Sequence, residues 1–499
     1  MPAYLKAYVA VMLLSLIAVA FLQKTLVPGA ISNADFVRRR NLWLLITSVA
    51  FLSSNFWVYA VLCVIVAARA ARAETNRLAL FVGLVFAVPP LTRVLPGFGP
   101  IEYILPFNHE RLLNYAILCP YAISLFKNRH SRPRGPRAPD VLVGMYILYL
   151  IISCGYQQPL QATIRQAFNL VTDIGVVYYV ASRSLKSVKD YREVVTAFVF
   201  GMSIVALVAL LETTKSWLVY ESLNLPFGAR GSAYHTRGDL GLIRAKGSLG
   251  HPIVLSFACA VTLMLVQSIS SYISTNARRL MLMGLIFGGM LVSFSRGPWV
   301  GAFAGMLYLL SSGPGKGRRL GSTLVVSAVL VGMLALTPFG RDIFKMLPLV
   351  GDADTGSVLY RQQLWNVSIV VLQQNLWFGD MHFLQNPLME VMRQGEGIID
   401  MVNSYLQIGL GYGIFGVGLF LASAALCWKC ARPRADPWDP DAAEARRMST
   451  ALRAVIVVTL VTIGTVSSID FVPLITWLTF GLCAGLPRTR IAPPNRTFG

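Results

Sequence analysis

The chain reads as a succession of long apolar runs separated by short polar, basic or Gly/Pro-rich stretches. A helix needs about 20 apolar residues to cross the hydrocarbon of a bilayer. Runs of that order fall at roughly 4–22, 42–68, 78–95, 110–126, 140–156, 166–182, 194–213, 251–271, 280–294, 298–312, 320–337, 404–428, 454–469 and 471–486. The pattern predicts an all-α fold: a polytopic transmembrane helix bundle of about 12–14 spans, forming one integral membrane domain over residues 1–499. The first run has only Lys6 before it and no small-residue cleavage site after it. It therefore reads as a retained first helix, not a signal peptide. No internal repeat, low-complexity tract or separate soluble domain interrupts the series.

Composition agrees. Of 499 residues, 55% are apolar and 13% charged, against about 25% charged in an ordinary globular domain. The mean hydropathy is +0.60. A water-soluble chain of this length would need more charge to cover its domains, and a disordered one would be poorer in apolar residues. The net charge is +21, from 44 Lys+Arg against 23 Asp+Glu. On a soluble chain that excess would point to nucleic acid. On a membrane chain it points first to basic cytoplasmic loops, with no nucleic-acid partner.

The basic clusters orient the helices. Lys127 with Arg129, Arg132, Arg134 and Arg137 forms one. Others lie at 183–192, 278–279, 316–319, 432–447 and 488–496. They fall on alternate loops, which are expected to be cytoplasmic. Arg38, Arg39 and Arg40 are the misfit, placed outside by this count of spans. The seven cysteines lie mostly in apolar runs and read as small apolar residues, with no disulfide framework.

About 36 residues separate Arg279 from Lys316. The chain must cross out and back between them, and Gly and Pro allow the turn at Ser295-Arg296-Gly297-Pro298. Arg296 is thus expected at the outer face, where a charge needs a partner or a water-filled cavity. Two outer segments are too long to be mere connections: a basic periplasmic one at 214–250 and a large, mixed-charge periplasmic one at 338–403. Positive-inside logic does not call for arginines there, and binding an anion would explain them.

Soluble-enzyme signatures are missing. The sequence holds no P-loop, no H-E-x-x-H and no G-x-S-x-G, and its five histidines lack metal-ligand spacing. No cofactor or metal is expected. Instead, Arg230, Arg237 and Arg244 precede Gly247-Ser248-Leu249-Gly250-His251-Pro252, which opens a helix. Pro252 suits a first turn, and the exposed amides of a helix start favour a phosphate. Arg361 begins an amphipathic stretch, Tyr360-Arg361-Gln362-Gln363-Leu364-Trp365. The second segment closes on Asp400-Met401-Val402-Asn403-Ser404-Tyr405. There Asp400 or Asn403 is placed to cap the next helix, and Asp400 is also a candidate to take a proton from a hydroxyl. Two acids lie within spans, Asp173 and Glu212, each expected to pair with an arginine or hydroxyl.

At these residues the chain resembles the O-antigen ligase/polymerase superfamily of bacterial membrane glycosyltransferases, especially its exopolysaccharide polymerase-like branch. Ser293-Phe294-Ser295-Arg296-Gly297 resembles that superfamily's Ser-Arg-Gly element. Arg361 with Leu364-Trp365 and Gly379 resembles its outer-loop arginine segment. Asn403, nine residues, Gly413, two residues and Gly416 resemble the ligase motif, and Arg244 through Pro252 resembles the element opening an earlier helix. The likeness spans about residues 165–430. Ligases begin their motif with a His that is assigned to the sugar acceptor or the diphosphate. Here Val402 stands in its place, and Asp400 is the nearest group able to substitute.

The resemblance implies a GT-C-type enzyme of the bacterial inner membrane. It would transfer an oligosaccharide from an undecaprenyl-diphosphate carrier to a glycan hydroxyl at the periplasmic face, with inversion and without metal. On this expectation Asp400, Arg296 and Arg361 act in catalysis. Arg230, Arg237, Arg244, His251, Asn403 and Tyr405 bind substrate. Membrane lipids and a chain-length regulator or export complex are the expected partners. Val402 favours a polymerase of the exopolysaccharide or O-antigen type. The alternatives are an O-antigen ligase acting on lipid A-core or protein, and a lipid-linked sugar transporter. A transporter would carry charges deep along a central path, whereas here costly arginines gather on one side.

Overall fold

A computed structural model describes residues 2–99, 103–128, 138–229, 236–237, 242–312, 317, 355–394, 397–432 and 441–488. The described chain is an all-α bundle, with strands confined to two small antiparallel hairpins, Arg93–Pro96 with Tyr103–Phe107 and Thr236–Arg237 with Leu242–Ile243. Seven helices among the described residues are long and apolar enough to cross a membrane. Several other expected spans form as shorter or interrupted helices. The run at 110–126 is interrupted by a π-helical turn at Asn114–Leu118, and that at 166–182 by one at Val171–Val176. The expected span at 320–337 lies outside the described residues.

Burial separates centre from periphery. In Val188–Lys215, Pro252–Tyr272 and Phe471–Arg488, 83% of the apolar window is buried, so these helices form the core. In Ala3–Leu26, Phe56–Ala73 and Ala138–Gln157 only 33% is buried, leaving broad apolar faces for lipid. Close packing is carried by small residues. Gly297, Gly301 and Gly305 on the Arg296–Ser311 helix lie one turn apart and meet Thr465, Thr462 and Val458 of the Ala442–Ile463 helix and its end. A Cβ added at any of the three would come within 2.5 Å of those side chains, so only glycine permits this approach.

The structure corrects the reading of the first 70 residues. The run at 42–68 is not one span. The chain breaks after Leu52, and Asn55 starts a new helix by accepting from Trp57 N and Val58 N, both at 3.0 Å. The run therefore forms two separate helices, Asn33–Leu52 and Phe56–Ala73, of which the second is long and apolar enough to cross a membrane. Buried Arg39 lies 3.0 Å from Glu74 and 3.4 Å from Glu193, the neighbour of Arg192. Arg192 pairs with Glu444, which also accepts from Tyr272. Arg278 donates to Lys24 O at 2.8 Å. All these basic groups gather at one end of the bundle, so the arginine triplet lies with the clusters at 183–192 and 278–279.

Candidate active site

The opposite end is built from helix starts and the short segments between them. Its foundation is Glu212, fully buried near the end of the Val188–Lys215 helix. A carboxyl group there must find donors. It accepts from three backbone amides, Val219 at 3.1 Å, Lys246 at 3.0 Å and Gly247 at 2.8 Å. These are main-chain partners, not the arginine or hydroxyl expected from the sequence. The interaction ties both ends of the 214–250 segment to the bundle. Asp173 does find the expected arginine, Arg111 at 2.6 Å, whose guanidinium also reaches Pro106 O.

Lys246 follows Arg244 by two residues, so fixing its amide aims the arginine at the next structural unit. Arg244 Nε donates to Ser293 O at 3.1 Å, and its terminal nitrogen donates to Ser295 Oγ at 2.9 Å. Ala245 N adds a bond to Val292 O at 3.0 Å. Phe294 between the two serines takes a left-handed φ of +48°, which costs energy in a bulky residue and folds both oxygens toward Arg244. Arg296 is the first residue of the helix that follows. Two of the sequence-selected arginines, from segments 49 residues apart or more, thus meet at one helix start, where the dipole also favours an anion.

The segment between the last two spans joins this start to the acidic turn. Gly297 packs on Thr465, and the next residue, Val466, accepts at its carbonyl from Ser404 N at 3.1 Å and Ser404 Oγ at 2.7 Å. Ser467 Oγ lies 3.1 Å from Asp400 Oδ1 and 2.5 Å from Met401 O. Asp400 is exposed and does not cap the helix. Asn403 does, accepting from Tyr405 N at 2.9 Å and Leu406 N at 3.3 Å.

The helix Thr355–Gln374 brings in Arg361. Its Tyr360 hydroxyl accepts from Asp400 N at 3.1 Å and donates to Asp400 O at 3.0 Å. Burial of the Tyr360 ring against this turn raises its phenol above the ordinary range. Arg361 follows directly and is exposed. Val402, at the position of the ligase histidine, packs against the apolar cluster of Leu364, Val371, Met401 and Leu406. The far end of the same helix is docked by Gly413, where the Ser404–Cys430 helix breaks at φ +65°, ψ −171°. The turn after Gln374 inserts into that break, with Ile414 N donating to Leu376 O at 2.9 Å and Asp380 N to Leu410 O at 2.7 Å.

The remaining expected residues are more dispersed. His251 caps the Pro252–Ile269 helix, its Nδ1 accepting from Ile253 N at 3.2 Å. Tyr405 turns into the bundle and donates to Leu460 O at 2.7 Å. Arg230 and the side chain of Arg237 lie outside the described residues. Three polar residues at this end went unselected in the sequence: Glu221, Lys246 and Asp470. The first two read only as charges of the basic segment. Asp470 carried no signal beyond being an acid at the edge of an apolar run. Among the described residues, no group of three or more His, Cys, Asp or Glu side chains is placed to hold a metal ion.

Residues 281–421 match the family model described as O-antigen ligase. The matched stretch contains Arg296, Arg361, Asp400, Asn403 and both glycines of the Gly413-x-x-Gly416 pair. This is consistent with the O-antigen ligase/polymerase superfamily. No curated protein matches the chain.

Proposed function

We propose that this multi-pass membrane protein is a glycosyltransferase that polymerises glycan units carried on undecaprenyl diphosphate. The observation that carries the reading is the junction of Arg244 with the Ser293–Ser295 turn at the start of the Arg296 helix, inside a site closed by Asp400. In the reaction a glycan hydroxyl attacks the anomeric carbon, and the bond from that carbon to the phosphate oxygen breaks. The diphosphate leaves with the electron pair. Arg244, Arg296 and Arg361 neutralise the charge that grows on it, which is the largest lever such a site has. Asp400, close to Ser467 and clear of any capping duty, takes the hydroxyl proton. Arg230, Arg237, His251, Asn403 and Tyr405 complete the substrate-binding set, and the isoprenoid tail lies among the helices.

The basic clusters collected at the other end support a periplasmic orientation for this site. The described parts of segments 214–250 and 338–403 would line its outer side. A chain-length regulator or export complex would act there. The family match equally supports a ligase that delivers the glycan to lipid A-core or protein, and its description names that activity. Val402, an apolar packing residue where ligases use a proton carrier, favours polymerisation. Reconstitution with a lipid-linked repeat unit, with and without lipid A-core acceptor, separates the readings. Product that lengthens without lipid A-core supports a polymerase. Product only with it makes the protein a ligase, and none in either revives the transporter.

A further inference from the structure

Beside the arginine junction lies a cavity of about 170 Å³, lined by Tyr220, Glu221, Asn224, Lys246 and Asp470 with Pro90 on one wall. It opens between the first outer segment and the segment before the last span, two residues along the chain from Arg244. Glu221 is held on both oxygens, by the Lys246 ammonium and the Asn224 amide. The Lys246 side chain is 11% exposed and that of Glu221 16%, so the pair is fixed in place. Asp470 sits opposite, at φ +45° and ψ −122°, a conformation costly for any residue but glycine. Its Oδ2 lies so close to Gly250 that a Cβ there would come within 3.0 Å of it. Among the described residues no hydrogen-bond donor reaches the Asp470 carboxylate. It is crowded by protein yet keeps accessible surface on the cavity side.

We infer that this cavity is the acceptor subsite, holding one uncharged pyranose of the growing glycan through Asp470, Glu221, Lys246 and Asn224. The inference rests on the glycosyl-transfer reading and assigns its acceptor side. Two carboxylates against one ammonium leave the cavity net negative, which repels a diphosphate and directs it to the arginines instead. A neutral polyol suits the lining. Carboxylates accept from hydroxyls, Lys246 and Asn224 donate, and Pro90 with the Tyr220 ring offers an apolar wall for the C–H face of a sugar. The volume takes about one ring.

The test uses the full chain in lipid nanodiscs and two probes: neutral oligosaccharide cleaved from the producing cell's own polymer, and inorganic pyrophosphate. Asp470→Asn keeps a residue about as tolerant of positive φ. Leu91 also lines the cavity, and Leu91→Trp instead fills it and leaves every polar group intact. Both variants are expected to weaken oligosaccharide binding at least tenfold, Asp470→Asn by loss of hydrogen bonds to a charged group and Leu91→Trp by filling the space, and to leave pyrophosphate binding unchanged. Arg244→Ala is expected to do the reverse. Wild-type oligosaccharide binding by both cavity variants overturns the subsite while leaving the diphosphate site standing. Loss of pyrophosphate binding in Asp470→Asn overturns it as well, by making the cavity part of the donor side. Unchanged pyrophosphate binding in Arg244→Ala overturns the glycosyl-transfer reading beneath it.

Discussion

Arg244 grips the Phe294 turn at two points, donating to Ser293 O at 3.1 Å and to Ser295 Oγ at 2.9 Å. Lysine cannot reproduce that fork, because its ammonium is a point charge on a flexible stem. Arg244→Lys is therefore expected to lose activity although the charge is kept. Arg244→Ala should fall by about 10²–10³, the usual range for removing one group that stabilises developing charge. Polymer yield per inserted protein measures both, and a fully active Arg244→Lys would show that charge alone matters there.

Arg296 stands at a packed helix start and Arg361 on an exposed helix face. Arg296→Ala and Arg361→Ala are each expected to abolish long polymer while the protein still inserts. A wild-type chain-length profile from either variant would sink the phosphate clamp at that residue.

Asn403 caps the helix and Asp400 does not, a duty the sequence left open between them. Because Asn403 caps the helix, Asp400→Asn should leave the melting temperature unchanged and remove activity. Retained activity would exclude Asp400 as the proton acceptor. Tyr360→Phe removes both hydrogen bonds that hold the Asp400 main chain, at about 1 kcal/mol each. It should lower activity only partly.

Gly413 meets the Trp377 carbonyl so closely that an added Cβ would lie 2.2 Å from its oxygen, at a φ of +65°. Gly413→Ala is expected to destabilise by about 3 kcal/mol or more, since overpacking and backbone strain add. A lower melting temperature and new protease cleavage near residues 375–380 are the readouts. Unchanged melting would mean that the turn docks elsewhere.

Burial pushes the Asp470 carboxyl up to about 6, from 3.8, with Lys246 opposing the shift. Folding thus favours its protonated form. That contribution is complete below about pH 3.8 and is lost as pH rises through about 6. Asp470→Asn should gain melting temperature relative to wild type across that window and hold the gain above it. A difference that does not vary between pH 4 and 7 would contradict the desolvation of this carboxyl by the surrounding protein.

The architecture was legible because lipid-spanning helices announce themselves as apolar runs, and the two long outer segments stood out by length and charge. The run at 42–68 misled because hydropathy does not see a break. Only three polar residues, Ser53 to Asn55, separate the two helices, and Asn55 starts the second by a side-chain bond. The site was half legible. Arginines on the side where orientation does not call for them drew attention to Arg244, Arg296 and Arg361. Asp470 did not stand out, because its place depends on contacts with Lys246 and Gly250 more than 200 positions away. Tyr405 was drawn in by its neighbours, yet its hydroxyl serves helix packing at Leu460.

The interval from Asn403 to Gly413 is a ruler. Ten helical residues measure about 15 Å, the distance between the place where the helix starts beside Asp400 and the notch that receives the Trp377 turn. The Tyr360 helix is fastened at both marks, through Asp400 at one and Gly413 at the other. One inserted residue would turn the notch by about 100° and leave a side chain where the turn must enter. The glycine spacing is thus a dimension of the Arg361 mount, and the arginine helix holds its position as a strut clamped at two points.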